Sequence, residues 1–212
     1  SSFYTDGFFI IDKFLDEKIS IDILNQLKKE KSWHRIDQER DHYKEGGPFN
    51  LRSKYFPEQN ETYYQKSWRA KEFEKRDDWR ETYKKYFLEK ISCVFNRKVI
   101  YDTTYIIRYK KNDFSRIHTD DLRGDVERVD IGLLYYLCDD WKWDWGGNLM
   151  LSKNEDDSEM RAILPIHNRL VVINNQKRCP HYISQVAHYA KNDRFTVASF
   201  IGCDKPLDDD SD

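Results

Sequence analysis

The hydrophobic texture of the chain changes near Val99. Upstream, apolar residues fall at helical intervals among charges; downstream, they come in short runs of β-branched and aromatic residues. Residues 7–15, GFFIIDKFL, predict an apolar strand. Over 17–30, Ile19, Ile21, Ile23, Leu24 and Leu27 are set among lysines and acids, the pattern of an amphipathic helix. The polar stretch 37–65, with Gly46-Gly47-Pro48, has few periodic signals and predicts a long loop or mobile excursion. Helical character returns over 66–95. There Trp79, Tyr83, Phe87, Ile91 and Val94 recur every three or four residues, with Asp78 as the candidate cap.

Strands are predicted at 99–109, 129–137, 148–152, 169–174 and 194–202, with turns at Gly146-Gly147 and over 153–157. Helices followed by many short strands indicate an α+β, mainly β chain, a sandwich or open barrel with helices packed outside. The expected organisation is one domain over 1–206, helical to about residue 97 and β from about 98 to 203, with a solvated acidic tail at 207–212.

Composition narrows the function classes. Thirty-six basic residues stand against 38 acidic ones, a net charge of −2, which gives no reason to expect a nucleic-acid partner. Cys93, Cys138, Cys179 and Cys203 have no CxxC spacing, which fits a reducing, cytoplasmic setting and speaks against a zinc ribbon or disulfide scaffold. The early apolar run Phe8-Phe9-Ile10-Ile11 is too short and wrongly flanked for a signal peptide or membrane span.

The candidate chemistry lies in the β half. His118-Thr119-Asp120 offers an imidazole and a carboxylate two residues apart, which a strand presents on one face. His181, far downstream, can return opposite them. Two imidazoles and one carboxylate on a triangular face leave positions open for substrate and oxygen, as in non-haem Fe(II) oxygenases. Arg194 can pair bidentately with a carboxylate co-substrate. Each residue also has a structural reading: a polar loop end, a hydrogen-bonded histidine, a salt bridge. His188 is seven residues from His181, so an unbroken strand faces it the other way; His34, His42 and His167 lack useful spacing. Trp141, Trp143 and Trp145 fit either a pocket wall or packing around Gly146-Gly147.

The ordered set carries more than its parts. Tyr109 stands nine residues before His118-Thr119-Asp120, followed by Tyr135-Tyr136-Leu137-Cys138-Asp139-Asp140-Trp141, Gly146-Gly147-Asn148-Leu149-Met150-Leu151, Pro165 through Asn168-Arg169-Leu170-Val171, Pro180-His181-Tyr182-Ile183 and Arg194-Phe195-Thr196. This segment resembles the prolyl-hydroxylase-like branch of the Fe(II)/2-oxoglutarate-dependent dioxygenases, nearest to the hypoxia-inducible-factor prolyl hydroxylases and microbial relatives. The resemblance covers about residues 99–202.

It implies a double-stranded β-helix, or cupin-like jelly roll, with supporting N-terminal helices. It implies Fe(II) on His118, Asp120 and His181, and Arg194 on the distal carboxylate of 2-oxoglutarate. Tyr136 helps at that carboxylate, Thr196 supplies a hydroxyl beside it, and Tyr109 lines the pocket. O2 is the oxidant and ascorbate a stimulant. The interval from His181 to Arg194 is longer than in the nearest relatives, which predicts a longer turn or a bulge. The expected activity is hydroxylation of an unactivated C–H, with a prolyl residue of a peptide or protein as the leading substrate and a free amino acid or small metabolite as the alternative. A nucleic-acid demethylase, a cupin dioxygenase without keto acid and a non-catalytic β-sandwich binding module are the remaining readings.

Overall fold

The computed structural model describes residues 2–40, 63–120, 129–154 and 158–207. The middle of the 37–65 stretch, the 121–128 loop, residues 155–157 and the tail from 208 lie outside the described residues. The strands are β1 (Phe8–Ile11), β2 (His34–Arg40), β3 (Tyr63–Arg69), β4 (Val99–Tyr109), β5 (Phe114–His118), β6 (Ile131–Leu137), β7 (Leu149–Leu151), β8 (Arg161–Ile163), β9 (Arg169–Asn174), β10 (His181–Ile183) and β11 (Arg194–Cys203). The helices are α1 (Ser2–Thr5), α2 (Glu17–Lys29), α3 (Lys71–Glu74), α4 (Asp77–Tyr83) and α5 (Glu89–Phe95).

All strand pairs among the described residues are antiparallel, in the order β1-β9-β6-β11-β4-β3-β5-β10-β7-β8, with β2 on β3. Strand β3 joins the two halves. Its Trp68 and Arg69 pair with Arg108 and Ile107 of β4, while Gln65 and Lys66 pair with Ser115 and Phe114 of β5.

Side-chain alternation separates two cores. On the outer face Ile131, Leu133, Tyr135 and Leu137 of β6 pack with Phe195 and Val197 of β11 against Leu24, Leu27, Trp79, Phe87 and Ile91 of the helices. On the inner face Tyr136 and Val171 meet Leu149, Leu151 and Ile183 from the other half, so the sheet is folded over on itself.

Helix α2 forms where expected, with Asp16 accepting from Lys18 N at 2.9 Å as its cap. Three expectations are corrected. The ends of the 37–65 stretch are not loop: β2 and β3 form a hairpin from His34↔Arg69 to Arg40↔Tyr63, and residues 66–69 are therefore strand, not helix. Its sequence hides it, because ring and cation contacts replace an apolar face. Arg35 lies over Trp68 at 5.2 Å, and Tyr64 packs on Phe114 at 5.6 Å. Asp78 does not cap α4; Arg76 holds the cap position, and Asp78, inside the first turn, accepts from Trp79 N at 2.8 Å. Val94 is 62% exposed. The core face runs 79, 83, 87, 91 and on to Phe95, steps of four that a straight α-helix cannot keep on one side; the π turn Lys84–Leu88 absorbs the drift. No helix among the described residues is long and apolar enough to cross a membrane.

Candidate metal and co-substrate site

His118 ends β5 and His181 begins β10, and the two are direct partners across the ladder with ring centroids 4.4 Å apart. Two residues further along β10, Ile183 pairs with Ser115, so β5 uses three residues where β10 uses two. This bulge brings Ser115 and His118 to the same inner face despite their odd spacing.

Asp120 lies just beyond β5. Its carboxylate is 3.8 Å from His118 Nε2 and 3.0 Å from His181 Nε2, and one atom from each residue falls within 4.8 Å of the others. His118 Nδ1 lies 2.8 Å from the Arg116 carbonyl and His181 Nδ1 2.9 Å from the Cys179 carbonyl. A carbonyl only accepts, so each Nδ1 is the donor and each ring turns its Nε2 inward, toward Asp120. That is the orientation a metal requires, fixed by backbone.

Arg194 opens β11 and is fully buried. Nη1 donates to Thr196 Oγ1 at 2.8 Å, and the guanidinium carbon lies 4.9 Å from the Tyr109 ring and 4.8 Å from the Tyr136 ring. Nε and Nη2 of Arg194 and the Tyr136 hydroxyl are buried and make no hydrogen bond to a described residue. Such donors cost free energy unless an acceptor fills the space between them. Burial pushes the Tyr136 phenol up to about 12 and raises Tyr109, against the opposing pull of Arg194 in both cases. Burial likewise takes the Cys138 thiol to about 12. Phenols and thiol are therefore neutral, and the guanidinium is the charge of this pocket.

The pocket floor comes from the turn Trp141–Gly147. Gly147 has φ +63°, and a Cβ there would lie 3.2 Å from Arg194 Cδ, Trp141 Cζ2 and Val186 Cγ2. Trp141 Nε1 donates to the Gly146 carbonyl at 3.0 Å and its ring meets Trp145 edge-on at 5.3 Å, so these two tryptophans pack the turn, whereas Trp143 is 84% exposed. The long interval before Arg194 is taken up by residues 184–193 between β10 and β11.

The structure thus brings together the seven residues singled out in the sequence: His118, Asp120 and His181 in one cluster; Arg194, Thr196, Tyr136 and Tyr109 in the other. His188 is exposed, and His167 lies far off, 3.1 Å from Ser20 Oγ. Cys138, Ser115 and Gln65 were missed. Cys138 could have been found by parity, two residues after Tyr136 and just past the end of β6; Ser115 is hidden by the bulge, and Gln65 by the unrecognised hairpin.

Residues 104–202, which hold both clusters, match the 2OG-Fe(II) oxygenase superfamily. This segment of the chain is a 2OG-Fe(II) oxygenase segment. It is accordingly an oxidoreductase of the 2-oxoglutarate-dependent dioxygenase class, and the superfamily implies Fe(II), 2-oxoglutarate and O2.

Solved structures share the fold of this oxygenase. A prolyl hydroxylase from Trichoplax adhaerens, in complex with a hypoxia-inducible-factor oxygen degradation domain peptide, aligns at TM-score 0.63 and 18% identity over 94% of this chain and 85% of its own. A Pseudomonas putida prolyl-4-hydroxylase aligns at TM-score 0.58 and 14% identity over 94% of both chains. An oxidoreductase of the 2OG-Fe(II) oxygenase family from Burkholderia pseudomallei aligns at 0.57 and 11%, over 95% of this chain and 87% of its own. The folded-over antiparallel sheet is therefore the double-stranded β-helix, with helices on its outer face. No curated protein matches the chain in sequence.

Proposed function

We propose that this oxygenase hydroxylates an unactivated C–H bond, that of a prolyl residue in a peptide or protein, with release of succinate and CO2. The observation that carries the co-substrate assignment is Arg194: a fully buried guanidinium with two donors unmet beside an unmet Tyr136 hydroxyl. A carboxylate meets that set, because it accepts two parallel N–H bonds and a third from the phenol. His118, Asp120 and His181 hold Fe(II). The donor set of two neutral imidazoles and one carboxylate on one face is suited to that metal.

When bound, iron with 2-oxoglutarate and O2 supplies an oxidant able to take hydrogen from a C–H bond. The chain's own residues hold the geometry. The Arg116 and Cys179 carbonyls fix the imidazole tautomers. Arg194 and Tyr136 anchor the distal carboxylate, Thr196 holds Nη1, and Tyr109 lines the wall. The carboxylate of Asp120 occupies the third ligand position, which favours hydroxylation. The buried inner cluster excludes water.

The prolyl substrate is supported by the prolyl hydroxylases that share the fold. The same chemistry on a free amino acid or small metabolite is the second reading, and ascorbate stimulates turnover in either. The test is succinate formation from 2-oxoglutarate with Fe(II), O2 and ascorbate, against pools of proline-containing peptides and of amino acids, with His118→Ala as control. His118-dependent turnover that rises with the peptide pool is expected. A rise with amino acids alone would move the substrate to metabolites. No turnover together with no anaerobic binding of metal and 2-oxoglutarate would overturn the assignment.

A further inference from the structure

The β2–β3 hairpin lies outside the segment that matches the superfamily, yet one of its side chains reaches the inner face. Gln65 pairs with Ser115 across β3 and β5. Its Nε2 donates to Ser67 Oγ at 2.9 Å and to the Tyr109 hydroxyl at 3.4 Å. Tyr109 is 4% exposed, and its ring lies against the Arg194 guanidinium. The phenol is also beside Ser115, whose Oγ accepts Ile183 N–H at 3.1 Å two residues from His181. Tyr109 is also the direct ladder partner of Arg194.

We infer that Gln65 is a positioning residue for the co-substrate. Its amide fills an acceptor site on the Tyr109 oxygen, so the phenol presents its single proton toward Ser115 and the pocket rather than back toward the hairpin. A hydrogen bond made to a buried phenol also fixes the ring that packs on Arg194. Strand β3 is the one that pairs with both halves of the sheet, so any shift of the hairpin moves Gln65 against both β4 and β5. The hairpin is thereby coupled to co-substrate affinity through Tyr109. This inference rests on the assignment of the Arg194 pocket to 2-oxoglutarate.

The test is anaerobic calorimetry of 2-oxoglutarate binding to the full chain loaded with Mn(II), with Gln65→Leu, Tyr109→Phe and the double variant. Gln65→Leu is expected to raise the 2-oxoglutarate Kd roughly three- to tenfold, the range for one net hydrogen bond, while the Mn(II) Kd is unchanged. The double variant is expected to match Tyr109→Phe alone, because Gln65 acts through that hydroxyl. Gln65→Met, similar in length but unable to donate, is expected to repeat the leucine result. An unchanged Kd in Gln65→Leu, or a double variant whose loss is the product of the two single losses, would overturn the inference. So would loss of Mn(II) binding in Gln65→Leu and Gln65→Met, which would mark Gln65 as structural. Failure of the parent assignment is separate: the unsubstituted Mn(II) protein would then not bind 2-oxoglutarate at all.

Discussion

Arg194→Met distinguishes a binding guanidinium from a structural one. Removing one partner of a buried ion pair costs about 3–5 kcal/mol, because it strands the other charge. Arg194 pairs with no carboxylate among the described residues; its hydrogen bond goes to Thr196, and its flanks are two rings at 4.9 and 4.8 Å. Losing that hydrogen bond costs about 1.5–3 kcal/mol, and each ring contact about 0.5–2 kcal/mol. In the other direction, methionine relieves two buried donors, Nε and Nη2, each of which costs about 1–3 kcal/mol while unmet. The opposing contributions nearly cancel. Urea unfolding of the metal-free, co-substrate-free variant is therefore expected to give a stability within about 2 kcal/mol of the parent, well short of a broken ion pair.

The ligand response should differ sharply. In the parent protein with Mn(II), 2-oxoglutarate at one hundred times its Kd adds about 2.7 kcal/mol, which raises Tm by roughly 5–10 °C in a chain of this size. In Arg194→Met that rise should vanish. A variant that loses more than about 3 kcal/mol of intrinsic stability and still gains Tm with 2-oxoglutarate would refute the reasoning and make Arg194 a structural residue.

Gly147→Ala should act on the same pocket from below. Its Cβ meets Arg194 Cδ at 3.2 Å and its φ of +63° costs an L-residue about 1–2 kcal/mol, so calorimetry should show weaker 2-oxoglutarate binding with metal affinity kept. Gly146→Ala, whose Cβ would come 2.1 Å from the Gln185 carbonyl, should instead compromise folding, seen as a lower Tm without any ligand. His167 predicts a pH effect away from the pocket. Burial lowers its pKa below 6.5, and its Nδ1 is buried with no hydrogen bond to a described residue. The unfolded chain therefore binds the proton more readily, and stability should fall as pH drops from above 6.5 through the folded-state value. Urea titrations at pH 7.5 and 5.5 should show that loss, and His167→Gln should flatten it.

The strands with β-branched and aromatic runs were legible in the sequence. Segments 99–109 and 169–174 match β4 and β9 residue for residue, and 194–202 matches β11 but for one added position. In β9 and β11 the signal is strong because both faces are buried, one under helices and one in the barrel, whereas β4 is mostly half-buried and shows itself by its β-branched and aromatic residues. The candidate site residues, which the fold draws into two clusters, stood out in the sequence for a different reason: chemistry-bearing types recur in a fixed order. What was not legible depends on pairing rather than composition. β2 and β3 carry charges and rings in place of an apolar face, β8 and β10 have three residues each, and Val94 was misplaced because a π turn changes the helical period. Gln65 acquires its role only when a hairpin, itself unrecognised, lays it against Tyr109.

The three-against-two spacing between Ser115 and His118 makes one metal ligand depend on how the strand pairs and not on side chains alone. If β5 kept regular alternation from Ser115, residue 117 would stand opposite His181 and the His118 imidazole would turn to the other side of the strand, leaving every side chain of the triad in the sequence but only two in the cluster. An inserted residue between Ser115 and His118 that left the bulge in place would carry His118 one position past His181 and off the inner face, whereas deleting one residue at 116 or 117 would remove the bulge and keep His118 opposite His181 on the same face as Ser115. A pair of variants, one longer and one shorter by a residue, would thus separate the ladder's contribution to the metal site from that of the side chains.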